Sequence, residues 1–231
     1  MKPAQAAFPR FRPVAEHAVL AEFGDVLTDE ANKCVNHLDA ALAATGFDGF
    51  IEAVPGYVSL LVAFDPIVTD HDRVAQVLST LLSVTAVPGL APQTHEVLIS
   101  YDDDLSPDLD QVARHTGMTK DAVVASHLSG DYRVLMYGFA PGYAYLTGLP
   151  DNLHLPRKPS AKRAVPAGSV IIAGGQCLVT TLTMPTGWWI IGRSPTPILR
   201  PDPSRPFLFD VGDHVRFRRI GLADFNALSK G

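Results

Sequence analysis

The stretch GFIEAVPGYVSLLVAFD, Gly49 to Asp65, holds two β-rich runs on either side of Pro55-Gly56. Proline presets φ and glycine admits positive φ, so the pair predicts a reversal between two antiparallel strands. Upstream, TDEANKCVNHLDAALAATG (28–46) has Thr28 as a cap, acidic residues in its first turn, apolar positions at helical spacing and a terminating Gly46. It predicts an amphipathic helix, preceded by a strand at EHAVLAEFG (16–24). Downstream, TDHDRVAQVLSTLLSV (69–84) reads as a second helix and THEVLISYD (94–102) as a strand. The resulting order, βαββαβ, predicts an α+β, ferredoxin-like domain over 1–102.

The remaining chain has a different texture. DLSPDLDQVARHTG and MTKDAVVASHLSG each read as a short capped helix, and together predict a helical bridge over 103–130. Across 131–231, short β-rich runs (YRVLMYGF, GSVIIAG, QCLVTTLT, GWWIIGRS, HVRFRRI) alternate with Pro and Gly turns, which predicts a compact β-barrel closed by a helical tail, GLADFNALSKG.

Composition narrows the partners. The chain has 231 residues, 47% apolar and 19% charged, with a net charge of -5. Its apolar runs are too short to span a bilayer, and its basic clusters do not interleave with aromatics, so neither membrane nor nucleic acid is an expected partner. The opening MKPAQAAFPRFRPV lacks the apolar core of a secretory signal, which makes a cytoplasmic chain the expectation. Cys34 and Cys177 form no CxxC pair and are expected to be buried, inert thiols rather than metal ligands.

Four features carry possible chemistry. YGFAPGYAYLTGLP (137–150) packs aromatic residues and glycines into an uncharged run, which reads as an ordered loop against a pocket or partner. His127, just before it, reads either as an acid–base group or as a structural histidine. LPRKPSAKRAVPAGS brings Arg157, Lys158, Lys162 and Arg163 between prolines, as an anion site or a solvated basic loop. In MPTGWWIIGRSP, Trp188 and Trp189 face opposite sides of a strand that runs to Arg193, so that one lies in the core and the other can line a cleft. The GGQ at 174–176 opens no helix, so no phosphate-binding loop is recognised and no cofactor is bound by a motif in this chain.

Taken in order, HLSGDYRVLMYGFAPGYAYLTGLP, Pro156-Arg157, VPAGSVIIAGGQ, GWWIIGRSP and VGDHVRF resemble the KipI-type family. That family includes the B-type subunit of 5-oxoprolinase, the kinase inhibitor KipI and the matching subdomains of urea carboxylase, long labelled allophanate hydrolase subunit 1. The resemblance implies a ferredoxin-like domain followed by a cyclophilin-like barrel, with the aromatic loop lining a groove near a second, homologous subunit. It also implies one subunit of an ATP-dependent hydrolase opening a small cyclic amide, 5-oxoproline, to glutamate. ATP would be handled by the complex, which adds a homologous carboxyltransferase-like subunit and a third hydrolase subunit. On this reading His127 is the catalytic proton donor, and Arg157, Lys162, Phe139, Tyr145, Gly142, Trp188 and Arg193 bind substrate. The alternatives are a KipI-like inhibitor of a histidine kinase and a carboxyltransferase component acting on urea or allophanate. The chain departs from the family pattern at Ala161-Lys162, where a second Pro-Arg is usual, and at Cys177 to Thr181.

Overall fold

The computed structural model describes residues 7–83 and 92–229. It divides into two units, Met1–Ala91 and Pro92–Gly231, rather than after residue 102.

In the first unit, β1 (Arg10–Val14) and β2 (Ala18–Glu22) precede α1 (Asp29–Thr45), β3 (Phe50–Pro55), β4 (Ser59–Phe64) and α2 (His71–Ser83). The α1 helix starts where the Thr28 hydroxyl accepts from the Ala31 amide, and it ends at Gly46, whose amide donates to Leu42. The expected hairpin forms between β3 and β4, with Val54 opposite Leu61. Val35, Leu38 and Leu42 of α1 and Val74 and Leu78 of α2 share one buried cluster with Val19, Ala21, Leu60, Val62 and Phe64 of the sheet. Sheet residues two apart and helix residues three or four apart meet because those are the periods of their faces.

The sheet order is β1-β2-β4-β3, all antiparallel. The expected βαββαβ order is therefore corrected at its last strand. Thr94–Ile99 lies in the second unit, and the sheet edge beside β2 is held by β1, whose Pro13 and arginines concealed a strand. The opening reading of residues 1–14 falls partly outside the described residues, as does residue 84 of the second helix.

The second unit comprises β5 (Thr94–Ile99), α3 (Leu109–Thr116), α4 (Lys120–Leu128), β6 (Tyr132–Tyr137), β7 (Ala144–Thr147), β8 (Lys162–Val165), β9 (Ser169–Ala173), β10 (Gln176–Val179), β11 (Met184–Thr186), β12 (Trp189–Arg193), β13 (His214–Arg219) and α5 (Leu222–Leu228). Seven strands run in the order β12-β9-β10-β7-β6-β13-β5. Only β5 and β13 are parallel within that sheet. The two outer strands then meet, as Ser100 and Arg193 exchange both backbone hydrogen bonds at 2.9 Å, so the sheet is a nearly closed barrel.

Alternate residues of the barrel strands point to different clusters. Val170, Ile172, Cys177, Trp189 and Ile191 face the interior, whereas Ile171, Ala173, Leu178 and Ile190 face outward beneath Tyr143, Val165 and Trp188. Both α3 and α4 contribute to the interior cluster through Leu109, Val112, Val123 and Val124. They are part of the barrel unit and not a bridge. Of the two thiols, Cys177 is buried as expected and Cys34 is exposed on α1. No described helix is long and apolar enough to cross a membrane.

Candidate functional site

The run 137–150 is a hairpin, β6 to β7, whose connection folds over the outside of the barrel. Phe139 (φ 71°) and Gly142 (φ 73°) both take left-handed backbone, which turns the chain tightly enough for Gly138 to donate to the Tyr143 carbonyl at 3.2 Å. The Thr181 hydroxyl donates to the Pro141 carbonyl at 2.6 Å and ties the tip down. Phe139 remains 73% exposed, an arrangement that is costly unless a ligand or partner covers it.

Beside this loop opens a cleft of about 140 Å³, lined by Phe139, Tyr143, Tyr145, Arg157, Thr186 and Trp188 over a floor of Ile171 and Leu178. The rings lie edge to face or tilted: Tyr145 is 5.9 Å from Trp188, and Phe139 is 5.6 Å from Tyr143. The Arg157 guanidinium stands 5.7 Å from the centre of the Trp188 ring. Burial pushes the Tyr145 phenol upward, with Arg157 pulling the other way. Burial likewise raises Tyr143, reinforced by Tyr145. Both phenols are therefore protonated hydrogen-bond donors at neutral pH.

Arg157 is exposed at the rim, but the backbone on either side of it is anchored. Trp189 Nε1 donates to the Pro156 carbonyl at 2.8 Å, and the Lys158 amide donates to the Gly187 carbonyl at 2.7 Å. Lys158 Nζ lies 2.7 Å from Asp108 Oδ2, with the two side chains only 10% and 7% exposed. The same carboxylate oxygen accepts from the Ile190 amide at 2.8 Å. Lys158 is thus not a solvated neighbour of Arg157 but a buried strut. Sequence reasoning missed Asp108, 50 positions away; the helix-opening pattern SPDLD marks it only as a cap, although its side chain makes no capping bond.

Four of the candidate residues come together here: Arg157, Phe139, Tyr145 and Trp188. The other four are elsewhere. Gly142 belongs to the loop itself and does not line the cleft; an added Cβ there would come within 2.7 Å of Leu199 and 2.9 Å of Thr181. Lys162 is exposed at the start of β8. Arg193 lines a second cleft, of about 330 Å³, with Thr181, Ser194, Thr196 and Phe225.

His127, expected as a proton donor, is a core group. It is 0% exposed, its Nδ1 lies 2.7 Å from the Tyr101 hydroxyl, and its Nε2 lies 3.5 Å from Cys177 Sγ. Burial lowers its pKa to about 3, so the imidazole is neutral. It does not line the aromatic cleft, because α4 turns it into the barrel interior against Tyr132 and Phe217.

The chemistry available in the aromatic cleft is recognition. Its rings suit a small flat molecule, its phenols can donate to a carbonyl, and the Arg157 fork can meet a carboxylate through two parallel bonds. The lining contains no carboxylate, histidine or thiol. It therefore does not fit a metal–triphosphate, and among the described residues no group of three or more His, Cys, Asp or Glu is placed to hold a metal ion.

Residues 9–209 match the carboxyltransferase domain, subdomain C and D. The B-type subunit of 5-oxoprolinase from Bacillus subtilis (strain 168) is 31% identical over 226 residues, covering 93% of this chain and 94% of its own length. The crystal structure of TTHA0988 superposes with a TM-score of 0.78 at 33% identity over 89% of this chain; the match spans 40% of that longer chain. Urea carboxylase from Kluyveromyces lactis, 17% identical with a TM-score of 0.75 over all of this chain and 24% of its own, shares the fold.

Proposed function

The chain belongs to the carboxyltransferase subdomain C and D family, and from that premise we propose that it is the B-type subunit of a 5-oxoprolinase. In this reading it works in the cytoplasm within an ATP-dependent complex, beside a homologous carboxyltransferase-like subunit and a third hydrolase subunit. The complex adds water across the lactam bond of 5-oxoproline, with ATP hydrolysed to ADP and phosphate alongside: the C–N bond breaks, the water oxygen enters the new carboxylate, both water hydrogens end on the former ring nitrogen as it becomes an ammonium, and glutamate results. The barrel is read as cyclophilin-like.

The observation that carries this reading is the pairing of one guanidinium, on a backbone anchored at both sides, with an aromatic cleft that has no acid–base pair. Such a cleft holds a small ring by its faces and its carboxylate by Arg157, and leaves activation of a resonance-stabilised amide to partner subunits. The chain alone is accordingly inactive.

Steady-state kinetics of the reconstituted complex test the anchor. Arg157→Ala should raise KM by roughly 10- to 100-fold, the equivalent of about 1.5 to 3 kcal/mol for a lost charge-assisted hydrogen bond. Lys162→Ala should change it little. Equal effects of the two substitutions, or an unaltered KM in Arg157→Ala, would remove the anchor, and hydrolysis of 5-oxoproline with ATP by the isolated chain would remove the division of labour.

A further inference from the structure

We propose that the cleft around Arg193 is a second binding site, separate from the aromatic cleft, for a small oxyanion: a carboxylate or a phosphate. Arg193 ends β12 at the barrel seam, where its amide and carbonyl are both bonded to Ser100 at 2.9 Å. Its side chain is held as well. Nε donates to the Ala167 carbonyl at 3.1 Å, and the guanidinium carbon stands 5.8 Å from the centre of the Phe225 ring. One N–H is spent in this way and one face is covered, leaving the four Nη hydrogens of the planar fork.

This half-buried cation has no carboxylate partner among the described residues. Elsewhere in the same unit, semi-enclosed charges are matched: Lys158 meets Asp108, and Asp213 accepts from the Gln93 amide and contacts His95 Nε2 at 2.7 Å. The Arg193 cleft, at about 330 Å³, has no acidic residue in its lining. Thr180 and Thr181 spend their hydroxyl hydrogens on the Pro166 and Pro141 carbonyls, but two other hydroxyls of the lining keep theirs. Ser194 Oγ accepts from the Thr196 amide at 3.1 Å, and Thr196 Oγ1 accepts from the Leu98 amide at 3.0 Å. Both oxygens are engaged as acceptors, and each keeps its hydroxyl hydrogen to donate. A rigid guanidinium fork, two hydroxyl hydrogens left to donate and no competing carboxylate form a donor-rich concavity, the complement of an oxyanion. Its volume leaves room for an oxyanion carried on a small molecule.

The test uses the full-length chain alone, without partner subunits or ATP, so its failure is distinct from failure of the proposed hydrolase role. Sodium phosphate and sodium acetate are titrated separately into isotope-labelled protein at constant ionic strength, following the Arg193 Nε–H and the Ser194 and Thr196 amides by NMR. Saturable shifts at these groups are expected for at least one ion, and the ion with the lower midpoint identifies the oxyanion class. Arg193→Lys keeps the charge and loses the fork, so it should bind roughly tenfold more weakly, whereas Arg157→Ala should leave the midpoint unchanged. Non-saturating shifts with both ions, shifts scattered over surface lysines, or an unchanged midpoint in Arg193→Lys overturn the proposal.

Discussion

His127 is uncharged in the folded chain, keeping one ring N–H and not gaining a second, because burial lowers its pKa from 6.5 to about 3. Between those values an unfolded chain binds a proton that the folded chain does not, so stability is full above about pH 6.5 and is lost as pH falls toward 3. The slope from this one group approaches about 1.4 kcal/mol per pH unit. Urea unfolding at pH 7 and pH 5 should show the loss, and His127→Gln should flatten the dependence; an unchanged slope would mean that other groups set it. Asp108 makes a second residue-scale case. Asp108→Ala strands both the Lys158 ammonium and the Ile190 amide, while Lys158→Met leaves the carboxylate with the Ile190 amide. The first should cost about 3 kcal/mol or more and the second distinctly less, as read from urea midpoints.

At the scale of the element, the β6–β7 hairpin depends on two glycines for different reasons. Gly148 has a φ of 89°, and an added Cβ would lie 1.9 Å from the Asp131 carbonyl oxygen, which is backbone and cannot give way. Gly142 also needs positive φ, but there a Cβ would press on the ends of the Leu199 and Thr181 side chains, which can shift. Gly148→Ala should therefore destabilise by more than about 3 kcal/mol or prevent folding, and Gly142→Ala by about 1 to 2 kcal/mol with the loop displaced. Thermal melts of the two variants give the order, and a reversed order would refute the packing argument. The loop was legible as ordered from its glycines and aromatics. That it holds the end of one strand and the whole of the next was not, since β7 is only four residues long.

For the whole molecule, the decisive strand is β5. It pairs with β13 along its full length, and Ser100, directly after it, meets Arg193 to close the barrel. A fragment of residues 92–231 should fold, with dispersed amide resonances, whereas 103–231 should not, because it lacks Val97, Ile99 and Tyr101 of the interior cluster. Folding of the shorter fragment would show that β5 is dispensable. The chain's local chemistry determined most of the elements: the capped helices, the 50–64 hairpin and the alternating barrel strands are all written in nearest-neighbour patterns. It also marked Arg157, Phe139, Tyr145 and Trp188, because an uncharged aromatic run and a proline-framed arginine are local signals. Tertiary structure alone decided which sheet Thr94–Ile99 joins, that the 103–130 helices close a core, that His127 faces inward, and that Arg193 lies in a different cleft from Arg157. A strand carries the same side-chain pattern whichever sheet it enters, and a histidine or arginine the same charge whichever way its element turns. Those choices depend on contacts between residues dozens of positions apart, such as Asp108 with Lys158 and Ser100 with Arg193, which no local pattern encodes.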